Sequence, residues 1–332
     1  MVLSCIILCI AFALGHVLPL TAGCGQQHFH KGRRIAEESD TSAWNYDLNG
    51  ADWPGTCKEG RAQSPIAIQL TAAAPFAGPP ISFEFGKAKG LRVFNIRTAI
   101  QVEWDDLEGS QTVIPTNGMW GSDAENISSV PVKPFQFHWH STCEHIVDGF
   151  MCPLELHLVT KVDNETDAPV PRYCRNNICL AVFGVTFEYN ADDVFTGTVP
   201  FMEGIVESLP SQDDVVAQDA TFLDTTFDLN TLIPSNSSYA WYQGSLTAPP
   251  CWEGVSWHVF TDPMEGLSVP QLEALQSALA SHPEERELTC SPDEDSGCGV
   301  TAADCTTTHG SRTNNRALQP TNGRQVFLAS AA

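Results

Sequence analysis

The segment FQFHWHSTCEHIVDGFMCPLELHLV, residues 135–159, contains histidines whose spacing suits a metal site. His138 and His140 are separated by one residue, and on a β-strand such residues point to the same face about 7 Å apart. On an α-helix the same spacing would turn the two side chains about 200° apart. The spacing therefore predicts a strand, on which two imidazoles can reach one ion at about 2.0–2.1 Å.

A second strand is predicted at residues 154–159, where polar and apolar residues alternate. Glu155 and His157 point to one face of this strand, and leucines point to the other. An Asp-Gly turn signal between the two segments predicts a hairpin that brings the third histidine beside the first pair. His145, in the connecting loop, is interpreted as a hydrogen-bonded structural histidine.

Three histidines on one sheet face leave a fourth coordination position open, which is the arrangement of catalytic zinc. We therefore predict that Zn²⁺ is held by His138, His140 and His157. Gln136 and Glu155 share that face and can accept hydrogen bonds from the outer ring N–H groups, which fixes the tautomers. The alternative is a set of surface or core histidines without a metal, and the third in-phase histidine disfavours it.

The elements that must position these residues are mainly strands. Short apolar runs alternate with Gly, Pro, Asn and Asp at intervals of about ten residues, a pattern typical of many-stranded sheets. Strands are expected at 81–85, 99–104 and 180–187. Helical periodicity is sparse: a serine cap, an early proline and leucines on one face predict a helix at 268–279, and a second short helix is expected at 214–223.

Length and charge limit the class of protein. The chain has 332 residues, which suits one large domain or two small ones. Lys and Arg total 17 against 40 Asp and Glu, a formal net charge of -23. Such a surface repels phosphate backbones and anionic lipid heads, so we predict no nucleic-acid and no membrane-surface binding.

Residues 1–22 are predicted to be a signal peptide, followed by a flexible lead-in at 23–41. Val2–Leu14 is almost wholly apolar and small residues follow it, although a basic start is missing. The alternative is an N-terminal membrane anchor, but His16 and Pro19 interrupt the run well short of the roughly 20 residues that a span needs. No later stretch predicts a transmembrane segment.

Glycosylation and cysteine patterns also favour export. Sequons occur at Asn126, Asn164 and Asn236. Of the 12 cysteines, Cys5 and Cys9 lie in the leader, which leaves an even number for disulfides. Zinc-binding cysteines are the alternative, but no pair of CxxC motifs supports it. We predict a secreted protein that is extracellular, periplasmic or lumenal.

Ordered motifs along nearly the whole mature chain resemble those of the α-type carbonic anhydrases. The matching segments are Trp44-Asn-Tyr, Gln63-Ser-Pro-Ile, Leu91-Arg-Val-Phe-Asn, Val102-Glu-Trp-Asp-Asp, Gln136-Phe-His-Trp-His, Cys143-Glu-His-Ile-Val-Asp-Gly, Glu155-Leu-His-Leu-Val, Gly244-Ser-Leu-Thr-Ala-Pro-Pro and Asn314-Asn-Arg-Ala-Leu-Gln-Pro. The resemblance implies a mainly β (α+β) fold, a single domain built on a large twisted, mostly antiparallel sheet with a few short helices. We expect this catalytic domain at 42–326, with an acidic, cysteine-containing insertion at 285–312 and a tail at 327–332.

The resemblance also implies an activity, the reversible hydration of carbon dioxide to bicarbonate and a proton by zinc-bound hydroxide. Zinc lowers the pKa of its bound water to about 7, for which carbonic anhydrases are themselves the reference case. By resemblance, Thr247 accepts the hydroxide's proton in a hydrogen bond, and Glu144 accepts the Thr247 hydroxyl. The implied pocket for carbon dioxide is apolar and is formed by Val159, Val182, Leu246, Val255 and Trp257.

One further feature follows from the resemblance. A disulfide between Cys57 and Cys251 is implied, whereas Cys143, Cys152, Cys174 and Cys179 could pair locally or with each other.

The chain departs from the fast family members at the proton-shuttle position, where Thr98 replaces a histidine. Threonine cannot titrate near pH 7, so we expect proton transfer to limit turnover in weak buffer. His28 and His30 are alternative proton carriers if the N-terminal arm folds over the site.

Two other functions are alternatives to the zinc enzyme. A catalytically silent binding or mineral-matrix module would use the acidic stretch at 285–296, but such a protein would generally lose a zinc histidine. A zinc hydrolase of esters or peptides lacks support, because the chain has no HExxH motif. The sequence gives no indication of the oligomeric state.

Overall fold

The computed structural model describes residues 44–78, 81–96, 98–209, 220–235, 238–279, 288–290, 305–307 and 313–329. These residues belong to one compact unit that runs from Trp44 to Ala332. The predicted signal peptide at 1–22, the lead-in at 23–41 and most of the insertion at 285–312 lie outside the described residues.

Strands dominate the described chain. They are β1 Ala67–Ile68, β2 Ala74–Pro75, β3 Lys87–Asn95, β4 Ile100–Glu108, β5 Val113–Pro115, β6 Ser129–His140, β7 Ile146–Val147, β8 Leu154–Val162, β9 Leu180–Tyr189, β10 Thr221–Asp228, β11 Tyr239–Ser245, β12 Glu253–Phe260, β13 Met264–Leu267, β14 Leu288–Cys290, β15 Cys305–Thr307 and β16 Phe327–Ala329.

Helices are short. The α-helices are α1 Thr56–Glu59, α2 Ser122–Glu125, α3 Arg172–Asn176, α4 Glu203–Val206 and α5 Val269–Leu279, and 3-10 turns occur at Leu70–Ala72, Met119–Gly121, Pro200–Met202 and Leu229–Leu232. Among the described residues, no helix has the length and apolar character needed to cross a membrane.

Twelve of the described strands form one large sheet in the order β10-β3-β4-β6-β8-β9-β12-β11-β16-β2, with β5 on β6 and β13 on β9. Neighbours from β10 to β9 pair antiparallel, and so do β12, β11 and β16. Only β9–β12, β9–β13 and β2–β16 pair parallel in this sheet as described. The predicted fold class is confirmed: a mostly antiparallel sheet with few short helices.

Side-chain alternation gives this sheet two different faces. One face carries the main core, which includes Phe137 and Trp139 of β6 and the three leucines of β8. The opposite face carries His138, His140 and His157, and we call it the histidine face. Since alternate residues of a strand point to opposite sides, the same two strands anchor the core and present the histidines.

The structure corrects several predictions about elements. Residues 81–85 do not pair in a ladder; the Glu84 amide instead donates to the Thr112 hydroxyl at 2.9 Å. The expected helix at 214–223 is wrong at its end, because strand β10 begins at Thr221. The tail predicted at 327–332 is also corrected, because residues 327–329 form strand β16, which pairs with β11 and β2. The apolar side chains of this segment can be buried at the sheet edge.

Phe135 also departs from the strict alternation of β6. The register between β6 and β8 shifts between Pro134 and Gln136. A bulge of this kind turns the extra residue out of phase, and Phe135 packs with apolar residues of the histidine face instead of with Phe137 and Trp139.

The helix predicted at 268–279 is confirmed as α5.

His258 on β12 is a buried histidine on the core side of the sheet. Its ring stacks on Phe183 with centroids 4.8 Å apart, and neither ring nitrogen has a hydrogen-bond partner of normal geometry among the described residues. Burial lowers the pKa of His258 to about 3, while the Ser256 backbone opposes this shift weakly.

We therefore expect His258→Leu to raise the free energy of unfolding by about 1 kcal/mol at pH 7, because it removes unsatisfied buried nitrogens. The unfolded histidine binds a proton near pH 6.5 and the folded one does not, so native stability is lost as pH falls from there towards 3. The advantage of leucine should grow by about 2 kcal/mol between pH 7 and pH 5. Urea unfolding at both pH values measures this, and an advantage that shrinks on acidification would contradict it.

Candidate metal site and active site

The pairing of β6 with β8 brings the three predicted ligands together. His138 lies directly opposite His157 in the register, and His140 follows one pleat further along β6. The ring centroids are 5.0 Å apart for His138 and His140, 5.2 Å for His138 and His157, and 4.5 Å for His140 and His157. One ring nitrogen from each lies within 4.8 Å of the others, close enough to share an ion.

Each of these rings is held by a hydrogen bond from one nitrogen. His138 Nδ1 donates to Gln136 Oε1 at 2.9 Å, and His157 Nε2 donates to Glu155 Oε1 at 2.8 Å. His140 Nδ1 donates to the backbone carbonyl of Asn314 at 2.7 Å. Because all three acceptors are oxygens, the remaining nitrogens keep their lone pairs.

The free nitrogens are suited to a metal. They are Nε2 of His138 and His140 and Nδ1 of His157, and the buried Nε2 of His140 has no hydrogen-bond partner among the described residues. Burial lowers the pKa of all three rings, that of His140 to about 4, and the neighbouring imidazoles add to the effect for His138 and His157. Neutral imidazoles with unpaired lone pairs are the form that binds zinc.

A second group, His145 with Glu155 and His157, is also compact enough for an ion. The atoms of this group that could bind a metal already take part in hydrogen bonds. His145 Nδ1 donates to Glu155 Oε1 at 2.6 Å, and the Tyr242 hydroxyl lies 2.7 Å from His145 Nε2. Glu155 Oε2 accepts the backbone amides of Glu144 and His145. We therefore assign this group a supporting role, as predicted for His145.

Glu155 remains ionised within this network. Burial alone would raise the pKa of this carboxyl, but the hydrogen bonds and electrostatic interactions with His145 and His157 hold it well below its usual range. Gly184 of β9 lies opposite His157, and a Cβ there would come within 3.1 Å of Glu155 Oε1. The absence of a side chain at Gly184 thus leaves room for the carboxylate.

Glu144 lies beside the histidines and is buried. Its Oε1 accepts the backbone amide of Arg316 at 2.7 Å. Burial raises its pKa to about 7, which His157, Arg316 and the nearby Thr247 hydroxyl partly oppose. Thr247 is thus close enough to affect the carboxyl, yet Oε2 has no hydrogen-bond partner of normal geometry within the described residues. That oxygen is therefore available as an acceptor.

Arg316 was not assigned a role from the sequence, although its motif was recognised. Its guanidinium is buried and donates to Gln63 Oε1 at 2.9 Å, to the Ser64 carbonyl at 2.7 Å and to the Cys57 carbonyl at 2.7 Å. Arg316 thus ties the C-terminal motif and the Gln63-Ser64 motif to the base of the site.

An apolar cluster lines the histidine face next to the metal ligands. It contains all five residues of the predicted pocket: Val159, Val182, Leu246, Val255 and Trp257. The Trp257 ring packs against His157 with centroids 4.8 Å apart. The side of the site formed by these five residues is therefore apolar.

The other predicted positions lie as follows. Cys57 and Cys251 form a disulfide next to the loop that carries Thr247. Thr98 is half-buried, and its carbonyl accepts a hydrogen bond from Asn314 Nδ2 at 2.9 Å. Asn314 in turn accepts the hydrogen bond of His140 through its backbone carbonyl, so Asn314 connects Thr98 to His140. Asn126 and Asn164 are exposed, and Asn236 lies outside the described residues.

Comparison with known proteins identifies the family of this site. The sequence model of the eukaryotic-type carbonic anhydrases matches residues 39–330. The chain belongs to the eukaryotic-type carbonic anhydrase family. It is 32% identical over 317 residues to a carbonic anhydrase of Dunaliella salina, covering 89% of this chain but 46% of that protein. It is also 32% identical over 237 residues to human mitochondrial carbonic anhydrase 5A, covering 69% of this chain and 70% of that protein.

Solved carbonic anhydrase structures share the fold. The α-carbonic anhydrase of Thermovibrio ammonificans, in complex with the inhibitor sulfanilamide, gives a TM-score of 0.57 at 25% identity, over 86% of this chain and 98% of that one. A halotolerant carbonic anhydrase from Dunaliella salina gives 0.59 at 22% identity, over 87% and 99%. The histidine face described above therefore belongs to a carbonic anhydrase fold and an enzyme family.

Proposed function

We propose that this carbonic anhydrase family member is a zinc enzyme that catalyses the reversible hydration of carbon dioxide to bicarbonate and a proton. The observation that carries the proposal is the set of three buried or half-buried imidazoles, His138, His140 and His157. Each has one nitrogen held by a protein oxygen and the other left with a lone pair. Zinc bound there would supply the Lewis-acid chemistry that makes water a nucleophile near neutral pH, for which carbonic anhydrases are themselves the reference case.

Thr247 and Glu144 would orient the attacking oxygen. An ionised carboxylate can only accept hydrogen bonds, so the free Oε2 of Glu144 would accept a hydrogen bond from the Thr247 hydroxyl. The Thr247 oxygen is then left as an acceptor, which directs a lone pair of the attacking oxygen towards the substrate. A cation on the three histidines would favour the ionised form of Glu144, which burial otherwise disfavours.

The apolar wall would hold the substrate. Carbon dioxide is small and apolar, so Val182, Val255 and Trp257 can exclude ordered water without supplying a charge. The product is an anion and gains little from such a wall, which favours its release.

Export and glycosylation are further parts of the proposal. The apolar leader at 1–22 supports removal in a secretory pathway, and exposed sequons at Asn126 and Asn164 support glycan attachment. N-terminal sequencing and glycosidase treatment of the secreted protein test both; an intact leader or an unchanged mass would contradict them.

Stopped-flow measurement of carbon dioxide hydration tests the proposed function. We expect turnover that disappears in zinc-stripped protein, returns when zinc is restored, and increases with the concentration of imidazole buffer. Buffer should matter because Thr98 cannot carry protons near pH 7. Absence of turnover with one zinc bound would overturn the enzyme in favour of the silent binding module.

Thr98→His is the matched variant for the buffer effect. We expect it to raise turnover in weak buffer by at least about tenfold and to flatten the buffer dependence. Zinc content should not change, because the Thr98 side chain takes no part in holding His140. The connection uses the backbone carbonyl of Thr98 and the side-chain amide and backbone carbonyl of Asn314. An unchanged buffer dependence would show that another group already relays the proton.

A further inference from the structure

Two thiols next to the candidate active site have no role in the function proposed above. Cys143 and Cys152 are buried and unbonded, whereas Cys57–Cys251 and Cys174–Cys179 are disulfides. Cys143 directly precedes Glu144, and Cys152 lies two residues before β8, so the two residues close the neck of the loop that joins β6 to β8.

The backbone already holds the two cysteines side by side. The Cys143 amide donates to the Cys152 carbonyl at 3.1 Å, and the Cys152 amide lies 2.8 Å from Cys143 Sγ. These two contacts place the Cys143 sulfur against the backbone of Cys152, next to the Cys152 side chain. A disulfide here would therefore join two residues that are already in direct contact.

Other roles for this pair are not supported. Neither of the two metal-compatible clusters found among the described residues includes a cysteine. Burial raises the pKa of the Cys152 thiol, so Cys152 is not a thiolate poised to attack a substrate, although it can still displace a sulfur held beside it. Two buried free thiols on residues in direct contact are positioned as the partners of a disulfide would be.

We propose that Cys143 and Cys152 form a third disulfide, which closes the loop carrying Glu144. The oxidant is a small-molecule or protein disulfide. The Cys143 sulfur, after losing its proton to solvent, attacks that disulfide and releases one thiol. The Cys152 sulfur then loses its proton and displaces the second thiol. Two thiols are oxidised, one external disulfide is reduced, and one S–S bond forms.

This crosslink would fix the supports of the site. The Glu144 amide donates to Glu155 Oε2 at 2.8 Å, and Glu155 in turn holds His157. Joining the residue before Glu144 to Cys152, two residues before β8, would restrain both ends of this connection.

Mass mapping of the full chain, equilibrated in a glutathione redox buffer, tests the proposal. Free thiols are alkylated before digestion with a protease that cuts before Asp148, which separates Cys143 from Cys152. We expect one crosslinked species joining the two fragments and no alkylation at either cysteine. Alkylation of both, in protein whose Cys57–Cys251 and Cys174–Cys179 bonds are closed, would overturn the proposal, as would a crosslink to any other cysteine.

Thermal unfolding provides an independent measurement with a matched control. We expect Cys143→Ser/Cys152→Ser to melt about 5 °C below the native protein without reductant, because the crosslink restricts the unfolded chain. The difference should vanish after complete reduction. Cys174→Ser/Cys179→Ser removes another short-range bond and should leave the 143–152 crosslink in the mass map. An equal melting temperature for native and Cys143→Ser/Cys152→Ser protein without reductant would contradict the proposal.

Discussion

Replacing His157 with alanine is expected to abolish stoichiometric zinc binding and to lower kcat/KM for carbon dioxide hydration by about a thousandfold or more. The ring is buried and has two distinct connections, since Nε2 donates to Glu155 and Nδ1 keeps its lone pair. Removing it deletes one of three ligands and leaves the buried Glu155 carboxylate without one of its donors.

Zinc content by elemental analysis and stopped-flow kinetics on the same sample measure this effect. His258→Leu is the matched control, because His258 is equally buried but lies on the core side of the sheet. It should keep full zinc and full activity. A His157→Ala protein with one zinc per chain and native turnover would exclude the proposed ligand set.

Glu155→Gln separates the ligand from its support. An amide can still accept from His157 but lacks the charge, so zinc affinity should fall by about 10 to 100-fold, with activity restored at high zinc. Loss of activity that zinc cannot restore would mean that the network of Glu155 and His145 mainly maintains the fold.

Replacing Thr247 with alanine is expected to lower kcat/KM by about a hundredfold at unchanged zinc content. In the role proposed for it, Thr247 would orient the attacking oxygen directly, and Glu144 would act through Thr247. Thr247→Ser keeps the hydroxyl and should remain within about tenfold of the native enzyme. Activity of Thr247→Ala equal to that of the native protein would remove Thr247 from the mechanism.

Glu144→Gln tests the same connection from the other side. The amide can donate to Thr247 and so reverse the direction of the hydrogen bond, which should cost about as much as losing the hydroxyl. Since both residues act as one unit, the double variant Thr247→Ala/Glu144→Gln should be little worse than either single one. Additive losses would mean that the two residues act separately.

Local sequence was enough to predict the parts of the site that depend on strand alternation. Once residues 135–140 and 154–159 are strands, the phase of His138, His140 and His157 follows from a period of two. The partners Gln136 and Glu155 could be predicted for the same reason, because each lies two residues from the ring it holds.

Other features depended on contacts that no local pattern contains. The bulge at Phe135 moved one ring to the histidine face, and the pairing of Cys174 with Cys179 followed from the turn after α3. The strand at 327–329 depended on the open edge of β11, which the sequence of a short apolar tail does not reveal.

The sequence by itself determined the ligand types, their phase on two strands and the family motifs. Only the tertiary structure decided what holds His140 and Glu144, namely the Asn314 carbonyl and the Arg316 amide, at separations of 174 and 172 residues. Both are backbone groups, which every residue except proline carries in full, so no residue type marks them. Their position is fixed only when the C-terminal segment packs beside β6, which is a property of the whole fold.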